Sequence, residues 1–343
     1  MKTSLRDKIS SSELQSEKVP HAEKAEINHI PDSEQKSSNL RKITAFAVIS
    51  VIFFFLGKTL YHNLGEISNY PWNIKPLPLI VSFLLLIINL AISAFAWEKI
   101  LLLFGARLPL KQSFKIISLS GLGKYLPGKI WLYLSQIYLS RKANIPKGVC
   151  VFSLLLLFAA YNLAGILVFL FSLFFWKQFS PVAISAFLFA CCSLFLIIFS
   201  PRILNRILKT LTLITNKFKQ GLIPTELTFR GEISQIGQII LILLVDWAIF
   251  GVAVYFLVNS FYNIDLSQTV ILCGIFAISS IAGIFSFFVP AGLGVREGVL
   301  SYLLSMFIPI SIAILISLVM RIWMTIGELF CFFVALNIKK PEI

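Results

Sequence analysis

Residues 288–300 read FVPAGLGVREGVL. A proline and two alternating glycines end one apolar run, Arg296 and Glu297 follow side by side, and another apolar run begins. Pro and Gly interrupt a helix, and a charge at the centre of a bilayer costs at least about 2.5–3.5 kcal/mol. A chain that places both features in one apolar setting needs a partner or a use for those charges.

Outward from this element the chain is overwhelmingly apolar. Of its 343 residues, 57% are hydrophobic and 13% charged, which argues against a soluble domain. Apolar runs occupy 43–61, 78–104, 148–176, 181–199, 234–258 and 310–337. Each reaches the roughly 18 residues that cross a hydrocarbon core of about 30 Å. Two regions remain, 112–140 and 267–308, each split by a Pro-Gly element: YLPGKIW at 125–131 and FVPAGLGVRE at 288–297. The arms around Pro127 and Gly128 are about 20 Å long as helix, too short to cross. The spacing predicts a re-entrant hairpin there and a second one around Pro290, Gly292 and Gly294. The expected fold is all-α and polytopic, with about six full spans and two opposed re-entrant hairpins.

The net charge of +14 does not imply nucleic acid, because the basic residues sit in short connections between apolar runs. Placing both termini in the cytoplasm puts 14 Lys and Arg in cytoplasmic loops after residue 42 and three, Lys58, Lys75 and Lys177, in outer loops. That bias is the positive-inside pattern of a multi-pass plasma-membrane protein. Residues 1–42 carry seven acids and eight bases without periodicity and read as a disordered cytoplasmic tail. Residues 43–340 form the membrane domain, with a cytoplasmic basic linker at 200–233. Within that linker, Ile203, Leu204, Ile207, Leu208, Leu211, Ile214 and Phe218 recur at helical spacing, as in a helix lying in the membrane interface.

A shift of 163 residues lays Pro127 on Pro290 and Pro146 on Pro309, so the segments 78–176 and 234–337 read as repeat-like halves. With the expected topology the repeat is inverted. Broken helices in inverted repeats build midplane binding sites in many secondary transporters.

The ionisable residues inside hairpins or spans are Lys115, Lys124, Lys129, Arg296, Arg321, Asp246, Glu297 and Glu328. Such groups face a cavity or one another. Lys124, Lys129, Arg296 and Arg321 suit an anionic headgroup, Arg by two-pronged contact and Lys as a point charge. Glu297 then balances Arg296 or Arg321. Asp246 and Glu328 are either paired structural charges or functional ones, and Lys115 suits snorkelling to the cytoplasmic interface. Trp97 and Trp176 read as interfacial belt residues, Trp131 as a packed one. Five cysteines and three histidines stand at spacings that suit neither a disulfide framework nor a metal site, and no cofactor is expected.

YLPGKIW, the Pro290, Gly292, Gly294, Arg296, Glu297 element and Arg321 together resemble the flippase-like membrane domain of bacterial lysylphosphatidylglycerol synthases. The resemblance covers about residues 40–340. Many relatives carry an Arg and a Gly-Glu pair after the first Pro-Gly, where this chain has Lys129, Ile130 and Trp131. The resemblance implies binding and movement of a lipid with an anionic or glycosylated headgroup. It does not imply synthase activity, because the aminoacyl-transfer domain follows the membrane part and this chain stops at Ile343. The alternative it leaves open is a non-catalytic accessory module that presents a polyprenyl-phosphate-linked sugar to a partner glycosyltransferase. An intramembrane enzyme using Glu297, and an ion or proton carrier using Asp246 and Glu328, are the remaining rivals.

Overall fold

The computed structural model describes residues 74–125, 130–176, 231–286 and 292–339, with short stretches between them. The expected tail at 1–42, nearly all of the span at 43–61 and most of 181–199 lie outside the described residues, as do Pro127, Gly128, Lys129 and Pro290. The main helices are α1 (Pro76–Leu103), α2 (Leu110–Gly121), α3 (Ile130–Lys142), α4 (Lys147–Ser172), α5 (Ile233–Phe261), α6 (Thr269–Phe285), α7 (Val295–Leu304) and α8 (Ile310–Leu336). Among the described residues there is no strand.

Among the described residues, five helical stretches are long and apolar enough to cross a membrane. Four match expected spans, at Pro76–Leu103, Lys147–Phe175, Ile233–Phe261 and Ile310–Leu336. The fifth, Leu266–Phe285, is the first arm of the second broken region. At 20 residues it is about 30 Å long as helix, so it is a crossing helix by length, whereas α7 behind it has only ten residues. The second region is therefore lopsided. The first region keeps the expected proportions, with 12 residues in α2, a 3₁₀ turn at Leu122–Tyr125 and 13 residues in α3.

The halves correspond element by element. Pro146 and Pro309 each stand immediately before a long helix, α4 and α8, where a missing N–H costs nothing. The pair α2–α3 precedes α4 as α6–α7 precedes α8.

The bundle is built on close pairing of α1 with α5 and of α6 with α4 and α5, while α8 receives α7, α2 and α1. The larger core runs through α1, α4, α5, α6, α7 and α8, and a smaller one around Trp97, Ile116 and Cys150 seats the first broken region. In lipid, close backbone approach and polar contacts replace the hydrophobic drive. A Cβ on Gly251 of α5 would lie 2.5 Å from the Cys273 side chain of α6. Several serines within the helices turn their hydroxyls onto carbonyls of the preceding turn, as Ser153 does to Cys150 and Ser317 to Ile314.

Several expectations need correcting. Trp97 and Trp176 are not belt residues; both are buried, and the Trp97 indole N–H donates to Ser153 Oγ at 3.1 Å, joining α1 to α4. Trp131 is half exposed. Lys115 Nζ donates to the Ile338 carbonyl, and Gln112 Nε2 donates to the Lys339 carbonyl at 2.9 Å. These side chains hold the chain just past the end of α8, where a positive charge is also favoured by the helix dipole. The basic linker is helical at 201–206, and Asn205 ties it to Phe229 through two hydrogen bonds of 2.8 and 3.1 Å.

Candidate functional site

The site grows from the turn before α7. Gly292 and Gly294 have φ of +67° and +80°, a region that glycine enters without strain. A Cβ on Gly292 would also lie 2.6 Å from the Gly283 carbonyl oxygen, so the turn presses directly on the α6 backbone. α7 begins immediately afterwards with Val295, Arg296 and Glu297 in its first turn.

Adjacent residues on a helix point about 100° apart, and Arg296 and Glu297 diverge accordingly. Glu297 turns back: its Oε2 accepts the Gly294 N–H at 2.7 Å and its Oε1 accepts from Arg321 Nη1 at 3.3 Å. It is buried, and satisfies one of the orphan donors at the helix start. Its ionic partner is thus Arg321 on α8 and not its neighbour Arg296.

Arg296 takes a different setting. Its guanidinium stands 4.8 Å over the Phe276 ring of α6, and Nη2 points at the Met324 sulfur of α8. Its Nε is buried and makes no hydrogen bond. Among the described residues Arg296 has no carboxylate partner. A guanidinium prefers two-pronged oxygen acceptors, and here it has a ring face and a thioether.

The first broken region arrives at the same helix. Lys124 Nζ pairs with Glu328 Oε1. Tyr125 O–H donates to Glu328 Oε2 at 3.1 Å, stands 3.1 Å from Thr325 Oγ1, and lays its ring 5.6 Å from the Arg321 guanidinium. Arg321, Thr325 and Glu328 recur at i, i+4 and i+7, on one face of α8. Arg321 is about 17 Å along α8 from its first residue, near the middle of the span.

Of the residues singled out in the sequence, the structure brings Lys124, Arg296, Glu297 and Arg321 together around α8, with Gly292 and Gly294 shaping the turn. Lys129, Pro127, Gly128 and Pro290 lie outside the described residues. Glu328 completes the cluster. Tyr125, Thr325, Met324 and Phe276 were missed. The first three neighbour charged residues in sequence or in helical register and could have been found; Phe276 is one of 32 phenylalanines, with no mark of its own.

Three cations and two carboxylates meet here, which leaves one positive charge over. Side-chain exposure falls from 33% at Lys124 to 11% at Glu328, 15% at Arg321 and 3% at Glu297, so the cluster is open at the Lys124 end and closed at the α7 end. Asp246 is not part of it. It sits on α5, buried, against Asn89 and Ser93 of α1. Among the described residues no group of three or more His, Cys, Asp or Glu side chains could hold a metal ion.

A multi-pass helical membrane protein with a charged cluster inside its bundle is the class this architecture defines. The chain matches the family described as Lysylphosphatidylglycerol synthase TM region over residues 42–329, and it belongs to that family. Among curated proteins the chain has no match.

Proposed function

We propose that the cluster binds the anionic headgroup of a membrane lipid, and that the protein carries this lipid between the two leaflets of a plasma membrane, with both termini cytoplasmic. The observation that carries the reading is Arg296, a half-buried side chain whose buried Nε makes no hydrogen bond and which has no carboxylate partner among the described residues, beside two ion pairs that could exchange partners. A phosphate oxygen would enter at the exposed Lys124 end, where Glu328 is already shared between Lys124 and Tyr125. It would then reach Arg321 and finally Arg296. At each stage the incoming anion replaces one carboxylate on a cation, so no charge is stripped of all partners in a medium where that is most costly.

The family supports a lipid-related role. The excess positive charge of the cluster supports an anionic ligand over a cationic one. Ile80 and Leu84 of α1 and Ile322 and Ile326 of α8 are apolar and exposed and line one open groove, as surfaces in contact with acyl chains do.

The test is movement of a fluorescent phosphatidylglycerol probe in proteoliposomes. Arg296→Ala is expected to reduce movement at least about tenfold, the equivalent of one lost charged contact of about 1.4 kcal/mol or more, while the folded helical content is retained. Unchanged movement in Arg296→Ala overturns the assignment. Binding of a polyprenyl-phosphate probe without any lipid movement in the wild type would instead favour the accessory-module reading, in which the protein presents a lipid-linked sugar to a glycosyltransferase.

A further inference from the structure

Asp246 is fully buried on α5 and takes no part in the cluster above. Its Oδ1 accepts from Asn89 Nδ2 at 2.7 Å and its Oδ2 accepts from Ser93 Oγ at 3.0 Å. The Asn89 amide also donates to the Asp246 backbone carbonyl at 2.9 Å. Asn89 and Ser93 are one helical turn apart on α1, so the three residues bridge the pair α1–α5 at a single level. Among the described residues no Lys, Arg or His pairs with this carboxylate. From α4, Tyr161 lies within electrostatic reach of it. From α6, Cys273 stands nearby with its thiol on the Trp247 carbonyl at 3.1 Å. On α8, Arg321 is committed to Glu297.

An ionised carboxylate held by two neutral donors in an apolar core is unfavourable, and such groups take up a proton instead. The neutral form fits without moving a heavy atom. With a proton on Oδ2, the acid donates to Ser93 Oγ. The Ser93 hydroxyl then turns to the carbonyl of Asn89, one turn back on its own helix, a common partner for a helical serine. Oδ1 keeps the Asn89 N–H. A metal ion fits poorly, because both carboxylate oxygens already face N–H and O–H donors rather than further oxygen ligands.

We propose that Asp246, Asn89 and Ser93 form a proton-binding site within the α1–α5 pair, and that its loading and emptying are coupled to lipid movement. The proton comes from water on one side, neutralises the carboxylate, and returns to water on the other. Coupling to lipid rests on the function proposed above; the proton site itself does not.

Two measurements separate them. Infrared spectroscopy of the purified protein at neutral pH is expected to show the C=O stretch of a protonated carboxylic acid in the wild type and to lose it in Asp246→Asn. In proteoliposomes carrying fluorescent phosphatidylglycerol, an imposed pH gradient is expected to change the wild-type rate several-fold and to leave the Asp246→Asn rate unmoved. Absence of the band from the wild type, or an equal gradient response in both proteins, overturns the proposal. If Asp246→Asn does not fold, Ser93→Ala keeps the acid, and the same band is expected to shift; an unshifted band overturns the hydrogen-bond assignment. A wild type that has the band, loses it in Asp246→Asn and yet moves no lipid leaves the proton site standing and removes the transport reading.

Discussion

The two broken regions reach the same helix, α8, with contrasting builds. Around the first break, α2 and α3 are nearly equal, and α3 buries only Gln136 and Ser140 while Ile130, Trp131, Leu134 and Tyr138 stay exposed. Around the second, a crossing helix meets a ten-residue one, and α7 buries Glu297, Leu300, Ser301 and Leu304. The second region is a fixed wall, pinned by Gly292 against the α6 backbone. The first is an open arm that contributes Lys124 and Tyr125 from a more accessible position. A similar Pro-Gly interruption has produced a rigid holder of charge in one half and an exposed contributor of charge in the other.

If the wall is rigid, damage to it should be costly. Glu297→Gln leaves Arg321 without its buried ionic partner and is expected to lower stability by about 3–5 kcal/mol, read as thermal unfolding in detergent. A loss of less than about 1 kcal/mol would mean that Arg321 is satisfied elsewhere. Gly292→Ala puts a side chain where φ is positive and the Gly283 carbonyl lies 2.6 Å away. It should destabilise by about 1–3 kcal/mol. A glycine change in the open arm, Gly121→Ala, meets nothing within 4 Å and should be neutral or stabilising by up to about 1 kcal/mol. Equal effects from the two glycine changes would erase the distinction between wall and arm. The smallest loss of stability is expected for Lys124→Ala, about 1 kcal/mol or less, because the pair with Glu328 is partly open to its surroundings. In the transport assay the same variant should slow probe movement several-fold.

Much of this fold was legible in the chain. Four long apolar runs became the helices α1, α4, α5 and α8 almost residue for residue, because hydropathy over some twenty positions is a strong signal. Both interruptions were visible from their Pro and Gly. The unequal arms of the second region were harder to read, since the apolar run of α6 merges into FSFFVPAG without a polar boundary. In the site, the charged residues could be named but not paired. Arg296 and Glu297 are neighbours in sequence, which suggests a pair; their divergence on α7 forbids it, and that much follows from helical geometry alone. The choice of Arg321 as partner, and of Phe276 as the surface beneath Arg296, depends on the azimuths of three helices, which a one-dimensional pattern does not carry. Trp97 and Trp176 misled for a related reason: aromatic residues near span ends suit the interface, yet here α4 covers Trp97 and Phe307, in the turn after α7, packs on Trp176.

The ties between the first broken region and α8 have a further consequence. Lys115 holds the Ile338 carbonyl and Lys124 holds Glu328, so two fastenings nine residues apart on one segment meet two that are ten apart on the other. These separations are roughly 14 and 15 Å as helix, and the two segments run antiparallel. They are splinted together. Backbone amides along both should therefore exchange with solvent deuterium as one cooperative unit. Loosening the cap beyond Leu336 would then be felt, without any change in the charged residues themselves, as faster exchange around Tyr125.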